Sequence, residues 1–130
     1  MDEKQLNMLD EMVEFAGTGV LATVDGQGNP QMRHMTAAIE KSRPGALFTV
    51  TYRESSKVAQ IENHNRVQWL FFMSGRTARA NGTAIIVDNP AVTAGVMELL
   101  GSRLERFWKQ NIDPGEIVVL ETVIHNVEIA

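Results

Sequence analysis

The stretch Asp25-Gly26-Gln27-Gly28-Asn29-Pro30 constrains this chain more than any other. Residues so dense in turn formers cannot continue a helix, and they separate two segments that read as strands, residues 19–24 and 31–39. A hairpin this early commits the first part of the chain to antiparallel pairing. The rest extends the pattern. Ser42-Arg43-Pro44-Gly45 is a second turn, and residues 46–52, rich in β-branched and aromatic types, form a third strand. Residues 67–73 are apolar apart from Gln68 and read as a strand buried on both faces. Ser74-Gly75-Arg76 turns into a strand over 77–87, and Asp113-Pro114-Gly115 precedes a long last strand over 116–129.

Helical spacing appears in three places. Leu6, Leu9, Met12 or Val13, and Phe15 predict an amphipathic helix over 4–16, stopped by Gly17. Ser55 or Ser56 caps a short helix that runs to about His64. Asp88 or Asn89 caps a third, with Pro90 in its first turn and an apolar stripe of Val92, Val96, Leu99, Leu100, Leu104 and Phe107. Gly95 and Gly101 weaken that helix and predict a break. Hairpins without regular βαβ alternation give a mainly β fold: a six-stranded antiparallel barrel with helices packed outside, as one domain over residues 1–130.

Composition removes several functions. The longest apolar runs fall far short of the roughly 20 residues a bilayer requires, so no membrane segment is expected. The acidic start Met1-Asp2-Glu3-Lys4 has no secretory character, and the chain has no cysteine, so a cytoplasmic location is expected. His34, His64 and His125 lack neighbours at metal-ligand spacing, apart from Glu62 near His64, and those two fall on different helix faces. No metal site is expected. Gly26 and Gly28 sit in a hairpin rather than before a helix, so they form no phosphate loop, and no Gly-x-Ser-x-Gly elbow exists. Any catalysis here is expected to rest on a borrowed cofactor.

The net charge of −4 conceals a basic centre. Between residues 31 and 79 eight cations (Arg33, Lys41, Arg43, Arg53, Lys57, Arg66, Arg76, Arg79) face only Glu40, Glu54 and Glu62. Acidic flanks make this a poor footprint for nucleic acid but a reasonable one for a small anion. Lys41 and Arg43 read as solvated turn residues. Two of the other cations break local rules. Lys57 opens a helix, where the macrodipole already disfavours positive charge; an anion held by Lys57, the serine hydroxyls and free N–H groups resolves the conflict, and an ammonium turned to water is the plainer alternative. By strand alternation Arg33 shares a face with Met35, Ala37 and Ile39, which places it at the barrel rim or against a buried partner.

The order of these pieces resembles the flavin-binding split-barrel family of pyridoxamine 5′-phosphate oxidase, and more closely its general-stress-protein branch. The likeness rests on residues 19–30, Arg33, Leu47-Phe-Thr-Val-Thr51, Ser55-Ser-Lys57-Val-Ala-Gln-Ile61-Glu-Asn63, residues 67–72 and Ala80-Asn-Gly82-Thr-Ala84. It implies a Greek-key split barrel and a homodimer with FMN in a groove between subunits. It further implies that Arg33, Lys57 and Ser56, with Ser55 beside them, hold the phosphate. The segment Arg33, His34, Met35, Thr36 would flank the isoalloxazine ring. Val50 and Thr51 would add contacts, and Arg76 or Thr77 would approach from the next strand. Some relatives use F420 or haem instead. Ala38 and Ser56 stand where oxidases usually carry a lysine and an arginine, and the chain ends without the oxidases' Arg- and Pro-containing substrate segment. The implied function is therefore an FMN-dependent oxidoreductase acting on another small substrate with a donor such as NAD(P)H. A flavin carrier without turnover is one alternative. Another is a flavin-free barrel dimer, with Trp69, Phe71, Phe72, Phe107 and Trp108 at its seam or, more simply, in its core.

Overall fold

The computed structural model describes residues 2–106 and 113–130. Phe107 and Trp108 therefore lie outside the described residues. The elements follow in the order α1 (Glu3–Ala16), β1 (Thr18–Val24), β2 (Pro30–Thr36), β3 (Ala46–Tyr52), α2 (Ser56–Asn63), β4 (Arg66–Met73), β5 (Arg76–Val87), α3 (Pro90–Leu100) and β6 (Ile117–Ile129). Short 3-10 turns at Gly101–Arg106 and Pro114–Glu116 complete them.

The six strands form one antiparallel sheet in the order β2-β1-β4-β5-β6-β3. Its two edge strands meet at a single point beyond the end of β2. There Ala38 and Phe48 exchange backbone hydrogen bonds of 3.0 and 2.9 Å. The sheet is thus curled and pinned at that bridge, while β2 and the second half of β3 diverge. This is the split barrel, with three α-helices around it. The return strand was expected to run to Ile39; it ends at Thr36, because Ala37 turns its N–H to Gly17 and Ala38 reaches for Phe48.

Inside the barrel, Leu21, Trp69, Phe71, Ala80 and Val127 pack with Leu9, Met12 and Val13 of α1. Trp69 and Phe71 stack with centroids 5.6 Å apart, and the Trp69 indole N–H reaches Thr122 Oγ1 at 3.1 Å. Phe71 lies over Gly19, where a Cβ would stand 2.5 Å from its ring. A second cluster joins Phe48, Val50 and Val119 to Val96 and Leu100 of α3.

Other sequence expectations change, among them Phe15, which was placed on the apolar face of the first helix and is exposed. Strand β4 is not buried on both faces: Val67, Trp69 and Phe71 point inward, but Leu70 and Phe72 are 42% and 63% exposed. An antiparallel sheet covers one face, and a run of apolar residues does not reveal which. Gly95 does not break α3, which runs to Leu100 and gives way to a 3-10 turn at Gly101. On α3, Val92 and Leu99 are exposed, and the covered stripe is Thr93, Val96 and Leu100. Arg43 is not a free turn residue, since it pairs at 2.5 Å with Glu121, a carboxylate nine-tenths buried. No described helix is long and apolar enough to cross a membrane.

Candidate functional site: a cation pair beside the barrel split

Where β2 and β3 diverge, each presents an edge that no neighbouring strand covers. The cleft between them has a volume of about 140 Å³ and is lined by His34, Met35, Thr36, Val50, Thr51, Tyr52 and Lys57. Free edges of this kind offer rows of backbone N–H and C=O groups, the complement of a planar ring that carries amide-like donors and acceptors.

At one end of the cleft stands the start of α2. Ser55 is its N-cap residue by backbone geometry, yet its side chain makes no capping bond. Its Oγ lies instead 3.5 Å from Thr51 Oγ1. Lys57 is half-buried and donates from Nζ to Thr51 Oγ1 at 2.8 Å, so its ammonium does not turn away into water. Burial holds its pKa below the ordinary lysine value, and the charge of Arg33 lowers it further.

Arg33 is half-buried too, and burial lowers its pKa. It occupies neither a bare rim nor a buried ion pair. Its Nη1 donates to Thr23 Oγ1 at 2.8 Å and to the Leu21 carbonyl at 3.3 Å, and its Nη2 reaches Gln60 Oε1 at 3.5 Å. Thr23 Oγ1 also donates to Gln60 Oε1 at 2.5 Å. These partners are neutral. The ion pairs among the described residues are Arg43 with Glu121, Arg53 with Asp88 and Arg79 with Glu128, so none of them compensates Arg33 or Lys57. Two half-buried cations, the charge of one lowering the pKa of the other, with no carboxylate partner among the described residues, form a place for an anion.

The structure brings Thr51, Ser55 and Lys57 together at this end, and His34, Met35, Thr36 and Val50 along the cleft; Arg33 does not line the cleft but lies near enough for its charge to act on Lys57. Ser56 is exposed on the first turn of α2. Arg76 and Thr77 do not line this cleft. They begin β5 after the tight Ser74-Gly75 turn, where Thr77 exchanges backbone bonds with Ala130. Thr23, Gln60 and Tyr52 were missed. Gln60 follows Lys57 by three residues on the same helix face, a spacing visible in the sequence.

The family model for pyridoxamine 5′-phosphate oxidase matches residues 8–129. Among solved structures, general stress protein 26 from Bacillus anthracis is similar at TM-score 0.75 and 21% identity, covering 97% of this chain and 91% of its own. A protein described as F420 reductase aligns at TM-score 0.76 and 20% identity over 92% and 94% of the two chains. A protein from Mesorhizobium loti, described as FAD-binding, aligns at TM-score 0.77 and 14% identity over 99% and 94%. No curated protein matches the chain. Its split barrel and a family match over nearly the whole chain agree: the protein belongs to the pyridoxamine 5′-phosphate oxidase family.

Proposed function

We propose that this protein binds FMN at the split between β2 and β3, as a homodimer, and serves as an oxidoreductase for a small substrate. The observation that carries the reading is the half-buried Arg33–Lys57 pair, which lacks a carboxylate partner and sits beside an uncapped helix start. A phosphate fits both features: it offsets the two positive charges and accepts from the Ser55 and Ser56 hydroxyls and the first N–H groups of α2. Lys57, now held by Thr51, has a hydroxyl already aligning its ammonium for that role. The free edges at His34–Thr36 and Val50–Tyr52 suit the amide-bearing rim of a flavin ring. When bound, FMN supplies hydride or single-electron transfer at its ring. The chain's own residues bind, orient and shield it.

Two observations support a second subunit. Met32, Leu70 and Phe72 expose 71%, 42% and 63% of their surface on the outer sheet face, which an isolated barrel gains nothing by displaying. Arg76 and Thr77 stay out of their own chain's cleft, so on this reading they enter the partner's site. The test begins with FMN titrated into the purified protein and followed by flavin absorbance and fluorescence. Saturable micromolar binding is expected, followed by bleaching of the flavin band under NADH or NADPH. Absence of binding removes the proposal, whereas binding without reduction by any donor leaves a flavin carrier.

A further inference from the structure

A larger cleft lies elsewhere and shares no lining residue with the split. It has a volume of about 860 Å³ and runs between α3, the turn after Ala38 and the outer face of β3 and β6. Phe48, Val87, Val92, Val96 and Leu99 give it apolar walls. Gly95 faces it from α3, and nothing lies within 4 Å of where its Cβ would stand. A glycine inside a helix costs about 1 kcal/mol relative to alanine; here it leaves the cleft open.

Polar character in the cleft is one-sided. Glu121 sits in β6 directly between Phe48 of β3 and Ile85 of β5, so a carboxylate stands in an otherwise apolar cross-strand row. Its side chain is nine-tenths buried, while that of its partner Arg43 is 55% exposed. Glu40 and Glu98 line the same cleft, so among the described residues its lining carries three carboxylates and one guanidinium. An apolar trough of this volume with surplus negative charge is complementary to one kind of small molecule. We propose that the cleft binds a small amphipathic cation, an amine on an aromatic or branched alkyl body, with the body against Phe48, Val96 and Leu99 and the ammonium at Glu121. The inference is independent of flavin binding, since no residue is shared.

The experiment titrates phenethylamine into the full chain and follows backbone amide shifts by NMR. 2-Phenylethanol and 3-phenylpropanoate serve as uncharged and anionic counterparts. The amine is expected to shift the Phe48, Val96 and Leu99 amides, and to bind roughly tenfold tighter than the alcohol, as a charge-assisted contact implies. The propanoate is expected to leave them unmoved. Gly95→Leu, which fills the cleft while improving helix propensity, abolishes binding. Glu121→Gln abolishes the preference for charge; should that variant not fold, Glu98→Gln reports a weaker loss of the same kind. Equal affinity for amine and alcohol overturns the proposal. So does silence at millimolar amine, or binding that survives Gly95→Leu. Concentration-dependent shifts at these amides without amine mean that a second copy covers the cleft, and overturn it as well.

Discussion

At the scale of single residues, the protein is defined by two cations placed where charge is costly. Lys57 shares its polar surroundings with Thr51 and Ser55, and Arg33 with Thr23 and Gln60, but neither has an anion. This has a consequence for pH. Between the lowered Lys57 pKa of the folded state and the ordinary value of the unfolded chain, the unfolded state holds more protons. Stability of the ligand-free protein therefore rises with pH across that window, through relief of the desolvated charge. Phosphate binding favours the charged lysine, so FMN affinity falls over the same range. Riboflavin, which lacks the phosphate, should show no such dependence beyond ring ionisation. Parallel titrations of the two flavins from neutral pH upward check the affinity trend, and identical profiles would contradict the assignment; chemical denaturation of the ligand-free protein over the same range checks the stability trend. The sequence exposed these residues because each violated a local rule. It did not reveal Thr23 or Tyr52, which obey theirs and acquire a role only through strand pairing and the position of the split.

At the scale of elements, one glycine shows how closely the strands approach. Gly82 lies at the bulge where β5 and β6 change register, and a Cβ there would stand 2.4 Å from the Val123 carbonyl oxygen. Gly82→Ala is expected to lose about 1–3 kcal/mol in chemical denaturation, the cost of overpacking against atoms that cannot step aside. Thr122→Val leaves the buried Trp69 indole N–H without its acceptor and should cost about 1–3 kcal/mol. Hairpins were legible from turn chemistry: the loop begins at Asp25 as read and gives way to β2 one residue early, at Pro30, with the Asp25 carboxylate accepting from the Gln27 and Asn29 amides at 2.9 Å. Which face of β4 is covered was not legible, because Trp69, Leu70, Phe71 and Phe72 are all apolar and only the sheet decides between them. The end of β2 was equally hidden. Nothing local distinguishes Ala38, whose bridge to Phe48 closes the barrel, from any other small strand residue.

At the scale of the whole molecule, the barrel is pinned at one bridge and open beside it, and the opening coincides with the uncompensated charge. That coincidence links the fold to the proposed function. On the proposed reading, the exposed Met32–Leu70–Phe72 face is where two such chains meet. Phe72→Glu is expected to shift the protein from dimer to monomer in sedimentation or size-exclusion experiments and to weaken FMN binding with it. A monomeric variant of undiminished affinity would place the site within one chain. The central claim is that Arg33 and Lys57 hold a phosphate, and one comparison tests it most directly. Calorimetric titration of FMN and of riboflavin into the native protein and into Lys57→Ala should show FMN losing about tenfold to a hundredfold in affinity, the ~1.5–3 kcal/mol of a charge-assisted hydrogen bond, while riboflavin is little changed. Equal losses for both flavins, or no loss for FMN, would contradict it.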